Sequence, residues 1–178
     1  KSSFPANIRP IIDSLHLTGQ GHARARIVRP EGPNQKYQIG VAAHLVEGSI
    51  QPKAFPYPIS KLTGFVRWIG DRITFEKLSG EHDGAVLTGS GDYDWKTAPG
   101  KLDLSIKGTN AAFDRALYTA LPETLQDVWD GFAPQGRFDV ATHLGWSPGA
   151  TPVVNVSKLD VLDAMVTMLA LVQAQTER

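Results

Sequence analysis

The sequence predicts a mainly β fold: a curled antiparallel meander sheet, shaped as a groove or half-barrel, with short amphipathic helices at a repeat boundary. Three observations predict it. Short runs of alternating apolar and polar residues follow one another at spacings of about ten residues. Turn chemistry separates these runs, and no helical segment of crossover length lies between them, which argues against a parallel α/β sheet. A self-similar pattern recurs about 117 residues along the chain, and a repeat of that length governs the whole architecture.

The elements follow in order. A short helix opens the chain, signalled by Pro5 near its first turn, with Ile8, Ile11, Ile12 and Leu15 spaced to share one face. Residues 22–28 alternate small or apolar with polar positions, and Tyr37, Ile39, Val41, Ala43 and Leu45 alternate for longer. Further strands are read at 62–69, 72–78, 84–95 and 101–106. In the last of these, Leu102, Leu104 and Ile106 alternate with Asp103 and Ser105, the pattern of a sheet with one wetted face. Gly70-Asp71, the Gly80 to Gly84 segment and Ala98-Pro99-Gly100 supply the turns. Residues 111–120 read as helix from Phe113, Leu117 and Leu121, and Pro122 divides it from a second helix carrying Leu125, Val128, Trp129 and Phe132 on one face, a stripe expected to be buried on something larger. Residues 157–178 are helical in composition, yet the repeat maps their first part onto a strand, and a strand is expected there with helix confined to the last dozen residues.

The repeat rests on matched punctuation. Phe4-Pro5 corresponds to Leu121-Pro122, Asp13 to Asp130, Gly19 to Gly136 and Gly32 to Gly149. Apolar positions stay in register between them: Ile11 and Ile12 fall on Val128 and Trp129, and Leu15 on Phe132. After one deleted residue the offset becomes 116, so that Leu45, Val46 and Ile50 fall on Val161, Leu162 and Val166. The chain therefore reads as a single domain of about one and a half units, the first at 4–120 and the start of a second at 121–178. A partial second copy reads as a cut through an array. The absence of an initial Met is read as a removed leader or an internal fragment.

Composition narrows the function classes. Lys plus Arg and Asp plus Glu number 18 each, so net charge is zero. No basic block offers a footprint for nucleic acid or a polybasic patch for anionic lipid. Cysteine is absent, which removes disulfides, thiolate chemistry and Cys-type zinc sites. No apolar run reaches membrane-spanning length.

Signals for catalysis are lacking. None of His16, His22, His44, His82 and His143 forms a pair at helical metal spacing, and none keeps its identity in the other copy. His82-Asp83 sits in a Gly-flanked segment read as a solvated turn. Asp92 and Asp94 lack the terminal Glu of a calcium loop, and Gly19-Gln20-Gly21 lacks the third glycine of a dinucleotide fingerprint. Without a Gly-x-Ser-x-Gly elbow, a serine nucleophile has no support. The chain is expected to be non-catalytic, with neither cofactor nor metal. What recurs is one apolar face, which must be covered by another sheet, a helix or a ligand.

Three segments carry a resemblance. They are Phe55-Pro56-Tyr57-Pro58-Ile59-Ser60-Lys61-Leu62-Thr63-Gly64, then Ile73-Thr74-Phe75-Glu76-Lys77-Leu78-Ser79-Gly80, then Gly89-Ser90-Gly91. In order they resemble the repeats of the AsmA-like superfamily of large bacterial envelope proteins, which includes TamB-type members. Leu121-Pro122 with Gly136 also resembles the very long planctomycete-type members. The resemblance implies a membrane-anchored periplasmic protein whose long curled sheet bears a hydrophobic groove. Such a groove passes phospholipid acyl chains toward the outer membrane, with adjacent repeats and envelope proteins as partners. This chain shows no anchor, and the helical insertion at 111–132 lies outside the minimal groove pattern. On that groove the lining candidates are Ile39, Val41, Val66, Trp68, Ile73, Phe75, Leu102, Leu104 and Ile106, provided that no bulge inverts a strand. Two other readings compete: a structural β-repeat scaffold of an envelope or surface protein with a closed core, and, more remotely, a hydrolase using His82 and Asp83.

Overall fold

In the computed structural model the described residues are 13–29, 31–33, 37–53 and 55–165. They form a single antiparallel sheet of eight strands ordered as in sequence: β1 (Thr18–Val28), β2 (Gln38–Ser49), β3 (Ser60–Ile69), β4 (Arg72–His82), β5 (Ala85–Asp94), β6 (Lys101–Ala112), β7 (Gln135–Trp146) and β8 (Val153–Met165). Every strand pairs with its chain neighbour, so the sheet is a pure meander. It does not close into a barrel, and β1 and β8 are its two edges. Two helices, α1 (Arg115–Ala120) and α2 (Glu123–Phe132), connect β6 to β7, and residues 13–15 are helical just before β1.

Local chemistry sets the hairpins. His82 pairs with Ala85, leaving Asp83-Gly84 as a two-residue turn with positive φ at both positions (43° and 80°). That is the primed turn whose twist matches the flanking strands, and Asp-Gly is one of its preferred pairs. Ile69 pairs with Arg72 across Gly70-Asp71, a two-residue turn with positive φ at Gly70 alone (57°). The helices are stopped and started by side chains. Asp114 caps α1 by accepting a hydrogen bond from the Leu117 N–H at 2.7 Å. Ala133 ends α2 in the left-handed conformation, where its N–H donates to the Trp129 carbonyl.

Three expectations are corrected. Residues 111–120 do not form one helix: β6 runs on through Ala112, because Ala111 and Ala112 pair with Phe138 and Arg137 after a bulge at Asn110 (φ 57°). The second correction concerns α2, which does not bury its apolar stripe. Trp129 packs its ring on Phe113 and Tyr118, while Leu125, Val128 and Phe132 are exposed. Lastly, strand structure begins at Val153 rather than at residue 157, and the helix expected in the last dozen residues falls outside the described ones.

The core is small and lies on one face of the sheet. Ile73 (8% exposed) and Tyr93 (2%) form one cluster, with Leu15, Trp68, Trp95, Leu102 and Trp146 packed around them. Ala85, Ala111 and Phe138 form a second, covered by Phe113 and Leu117 from the start of the helical insertion. The Phe113 and Phe138 rings lie 4.5 Å apart between centroids, tilted by 34°, an aromatic contact worth about 0.5–1.5 kcal/mol beyond area burial.

Candidate functional site

Register decides which residues share a face, because directly opposed residues in a ladder point to the same side. One row runs Val41, Trp68, Ile73, Tyr93, Leu102, Trp146, each opposite the next. A second runs Ala43, Val66, Phe75, Gly91, Leu104, Leu144, Val154. A third runs Leu78, Gly89, Ile106, Thr142, Val156, and a fourth Gly80, Leu87, Gly108, Val140, Leu159. Ile39 extends the face beside Ile27 at the β1 side. All nine predicted lining residues therefore lie on one side of the sheet, and that side is apolar in every strand, with Thr142 a polar exception in these rows.

Bulges keep it so. Between Phe75 and Leu78 the alternation of β4 slips by one residue, which would send Leu78 to the wet side of a regular strand. Lys77, at φ 51°, absorbs the extra residue and returns Leu78 to the apolar face. The double spacer in Ile73-x-Phe75-x-x-Leu78-x-Gly80 is thus a bulge written into sequence. Asn110 does the same for β6, between Gly108 and Ala111. At Gly91 the sheet needs glycine for a different reason, since an added Cβ would stand 2.0 Å from the Asp103 carbonyl oxygen and 2.9 Å from the Leu104 Cα.

Accessibility grades across this face. Ile73 is buried beneath its cluster and serves as core. Val41, Val66, Trp68, Phe75, Leu102, Leu104 and Ile106 are half-buried, and Ile39 is exposed. Outward along β8, Val154, Val156 and Leu159 are exposed, with Val156 at 58%. Sequence reasoning missed Tyr93, Leu87, Val140, Leu144, Trp146 and the β8 residues. On β5 the face positions beside Leu87 and Tyr93 are Gly89 and Gly91, so the alternation has no side chains to display there. On β8 a bulge between Val156 and Lys158 breaks the period.

The opposite face is mainly polar and carries ion pairs, with Phe65, Ile69, Val86 and Val153 exposed among them. Arg72 Nε lies 3.2 Å from Asp92 and 3.7 Å from Asp94, Arg67 lies 3.7 Å from Glu76, and His143 lies 3.3 Å from Asp103. The two faces differ in composition, one mainly apolar and the other mainly polar.

A separate polar group sits where the strands meet the loops. His82 is not in a solvated turn. Its Nε2 lies 3.2 Å from Asp114 Oδ2, and its ring packs on Tyr57 at 4.2 Å between centroids. Asp83 alone occupies the exposed turn position. Tyr57 is 5% exposed, and burial, with the Asp114 and Asp83 carboxylates adding to it, pushes its hydroxyl up to about 12. Beside the group is an open depression of about 310 Å³ bounded by His16, Thr18, Gln51, Ile59 and His82. A carboxylate that caps a helix, holds a histidine and faces a buried phenol ties the β2–β3 loop to the helical insertion. Among the described residues no cluster of His, Asp or Glu has the makings of a metal site. Among them, too, no helix is long and apolar enough to cross a membrane.

Comparison of the chain with family models, curated proteins and solved structures gave no match.

Proposed function

We propose that the apolar face is a conduit surface for phospholipid acyl chains, in a segment of a repeat-built periplasmic bridge that carries lipid toward the outer membrane. The observation that supports this reading is one side of an open sheet that is apolar in every strand. Eight strands at spacings of about 4.8 Å make a face roughly 34 Å wide. That exceeds the roughly 15 Å spanned by the chains of one leaflet, half of a hydrocarbon core of about 30 Å. Exposed apolar surface on this scale marks a binding surface. Non-directional apolar contact suits a ligand that slides, because no single position holds it. The bulges at Lys77 and Asn110 keep the face continuous, and the AsmA-like resemblance supplies the ligand class and the compartment. An open sheet with half-exposed apolar rows favours the conduit over a closed-core scaffold.

The test is facial selectivity. A photo-crosslinking amino acid is placed at Val66, Leu104 or Val156 on the apolar face, and at Thr74 or Ser105 on the polar face. After irradiation with phospholipid vesicles, mass spectrometry reads the adducts. Lipid adducts at the first three positions and none at the last two are the expected result. Equal labelling of both faces, or none anywhere, would sink the conduit.

A further inference from the structure

Strands β1 and β7 occupy the same place in the same hairpin. Thr18 pairs with Ser49, and 117 residues on Gln135 pairs with Met165. Gly21 pairs with Leu45 as Phe138 pairs with Val161, and Ala23 with Ala43 as Val140 with Leu159. The residues leading in match as well. His16 and Ala133 both have positive φ (47° and 41°), as do Gly19 and Gly136 (148° and 103°). These correspondences come from register and backbone conformation, independently of side-chain identity.

The outer edges of the two strands differ. That of β7 is taken by β6, through pairs from Leu102↔Trp146 to Ala112↔Arg137. In β1 the same edge faces no strand among the described residues, and every residue from Thr18 to Val28 is exposed. A free edge is a template for another strand unless it is blocked. This one has no Pro, and its exposed charges, Arg24 and Arg26, admit only a strand that pairs them.

Charge specifies the occupant. Inside the sheet, two arginines on the polar face receive carboxylates from the neighbouring strand: Arg67 from Glu76, and Arg72 from Asp92 and Asp94. On β1, Arg24 and Arg26 stand opposite Ala42 and Gly40, and neither side chain has an ion pair or hydrogen bond among the described residues. Their only other lateral neighbour would be a strand on the free edge.

We infer that β1 is a docking edge for an antiparallel strand that joins the sheet as β6 joins β7. The incoming strand is apolar at the positions flush with Ala23, Ala25 and Ile27, and it carries carboxylates opposite Arg24 and Arg26. This is strand addition, in which backbone hydrogen bonds supply affinity and alternate side chains supply specificity. It does not rest on the lipid reading, and the two fail separately.

The probe is a 12-residue peptide copying Lys101–Ala112, the β6 segment. In the β6–β7 register, Ser105 lies opposite His143 and Lys107 opposite Ala141, the counterparts of Arg26 and Arg24. One peptide carries S105E and K107E; the other carries S105K and keeps Lys107. Hydrogen exchange of the whole protein is followed strand by strand. With the acidic peptide in excess, exchange across residues 18–28 slows by about tenfold, while β4 and β5 are unchanged. The basic peptide has no such effect. In the R24E/R26E protein, which alters exposed side chains only, the preference reverses. Slowing by neither peptide, or equally by both, overturns the proposal. So does protection of β1 that grows with protein concentration in the absence of peptide, which would assign the edge to a second copy.

Discussion

Strands β4 and β5 and strands β1 and β8 share one alternation of apolar and polar residues, yet their side chains end in different environments. In the middle, Ile73 and Tyr93 are buried, and Arg72 holds carboxylates from the next strand. At the edges, Ile27 is 65% exposed and β8 is exposed along the length whose side chains are described. A middle strand has neighbours on both sides and, on its apolar face, Leu15, Trp95 and the start of the helical insertion above it. An edge strand has one neighbour and nothing above. Stability is therefore concentrated in the middle, while the unspent apolar surface lies toward the edges.

Truncating the middle is the strongest way to probe that contrast. Tyr93→Ala removes a ring that touches Ile73 and lies 5.6 Å from the Trp95 ring, and it is expected to cost about 3–5 kcal/mol in chemical denaturation. A loss below about 1 kcal/mol would place the stability elsewhere.

Next comes alkaline pH. The Tyr57 hydroxyl is held protonated in the fold, with its pKa raised from 10.0 to about 12. The folded state keeps a proton that the unfolded chain releases, so its contribution is fully present below pH 10 and is lost as pH rises toward about 12. Tyr57→Phe should flatten that decline in melting temperature, and an unchanged decline would assign it to other groups.

Asp114→Ala is expected to cost about 1 kcal/mol as α1 loses its cap and His82 its partner. Asp114→Asn keeps an oxygen for the Leu117 N–H and should recover most of the loss. Equal melting points for the Ala and Asn variants would deny the cap its role.

The smallest effect belongs to the edge. Ile27→Ala should change stability by less than about 0.5 kcal/mol, although Ile27 continues the same apolar face that Tyr93 anchors. A cost comparable with that of Tyr93→Ala would show the edge to be covered and would erase the contrast.

Much of the sheet was legible because alternation is local. Six strands were found at nearly their true places, and the nine residues chosen for the apolar face all lie on it. Two strands were read short: β4 was ended at residue 78 and β6 at 106, although the ladders continue to His82 and Ala112, in β6 past a bulge at Asn110 that broke the period. The polar group of Tyr57, His82 and Asp114 was not legible. Its members lie on a loop, a strand end and a helix cap, 25 and 32 residues apart, and no local pattern announces such a meeting.

By itself the sequence determined the meander, since turn residues every few positions leave each strand only its neighbour to pair with. It also determined that the sheet has one dry and one wet side, because side chains alternate with a period of two. The tertiary structure decided how that period slips, through positive φ at Lys77 and Asn110, and so returned the apolar residues to one side. It alone decided which apolar residues are covered. Burial depends on what stands above a strand and beside it, and the sequence of a strand carries neither.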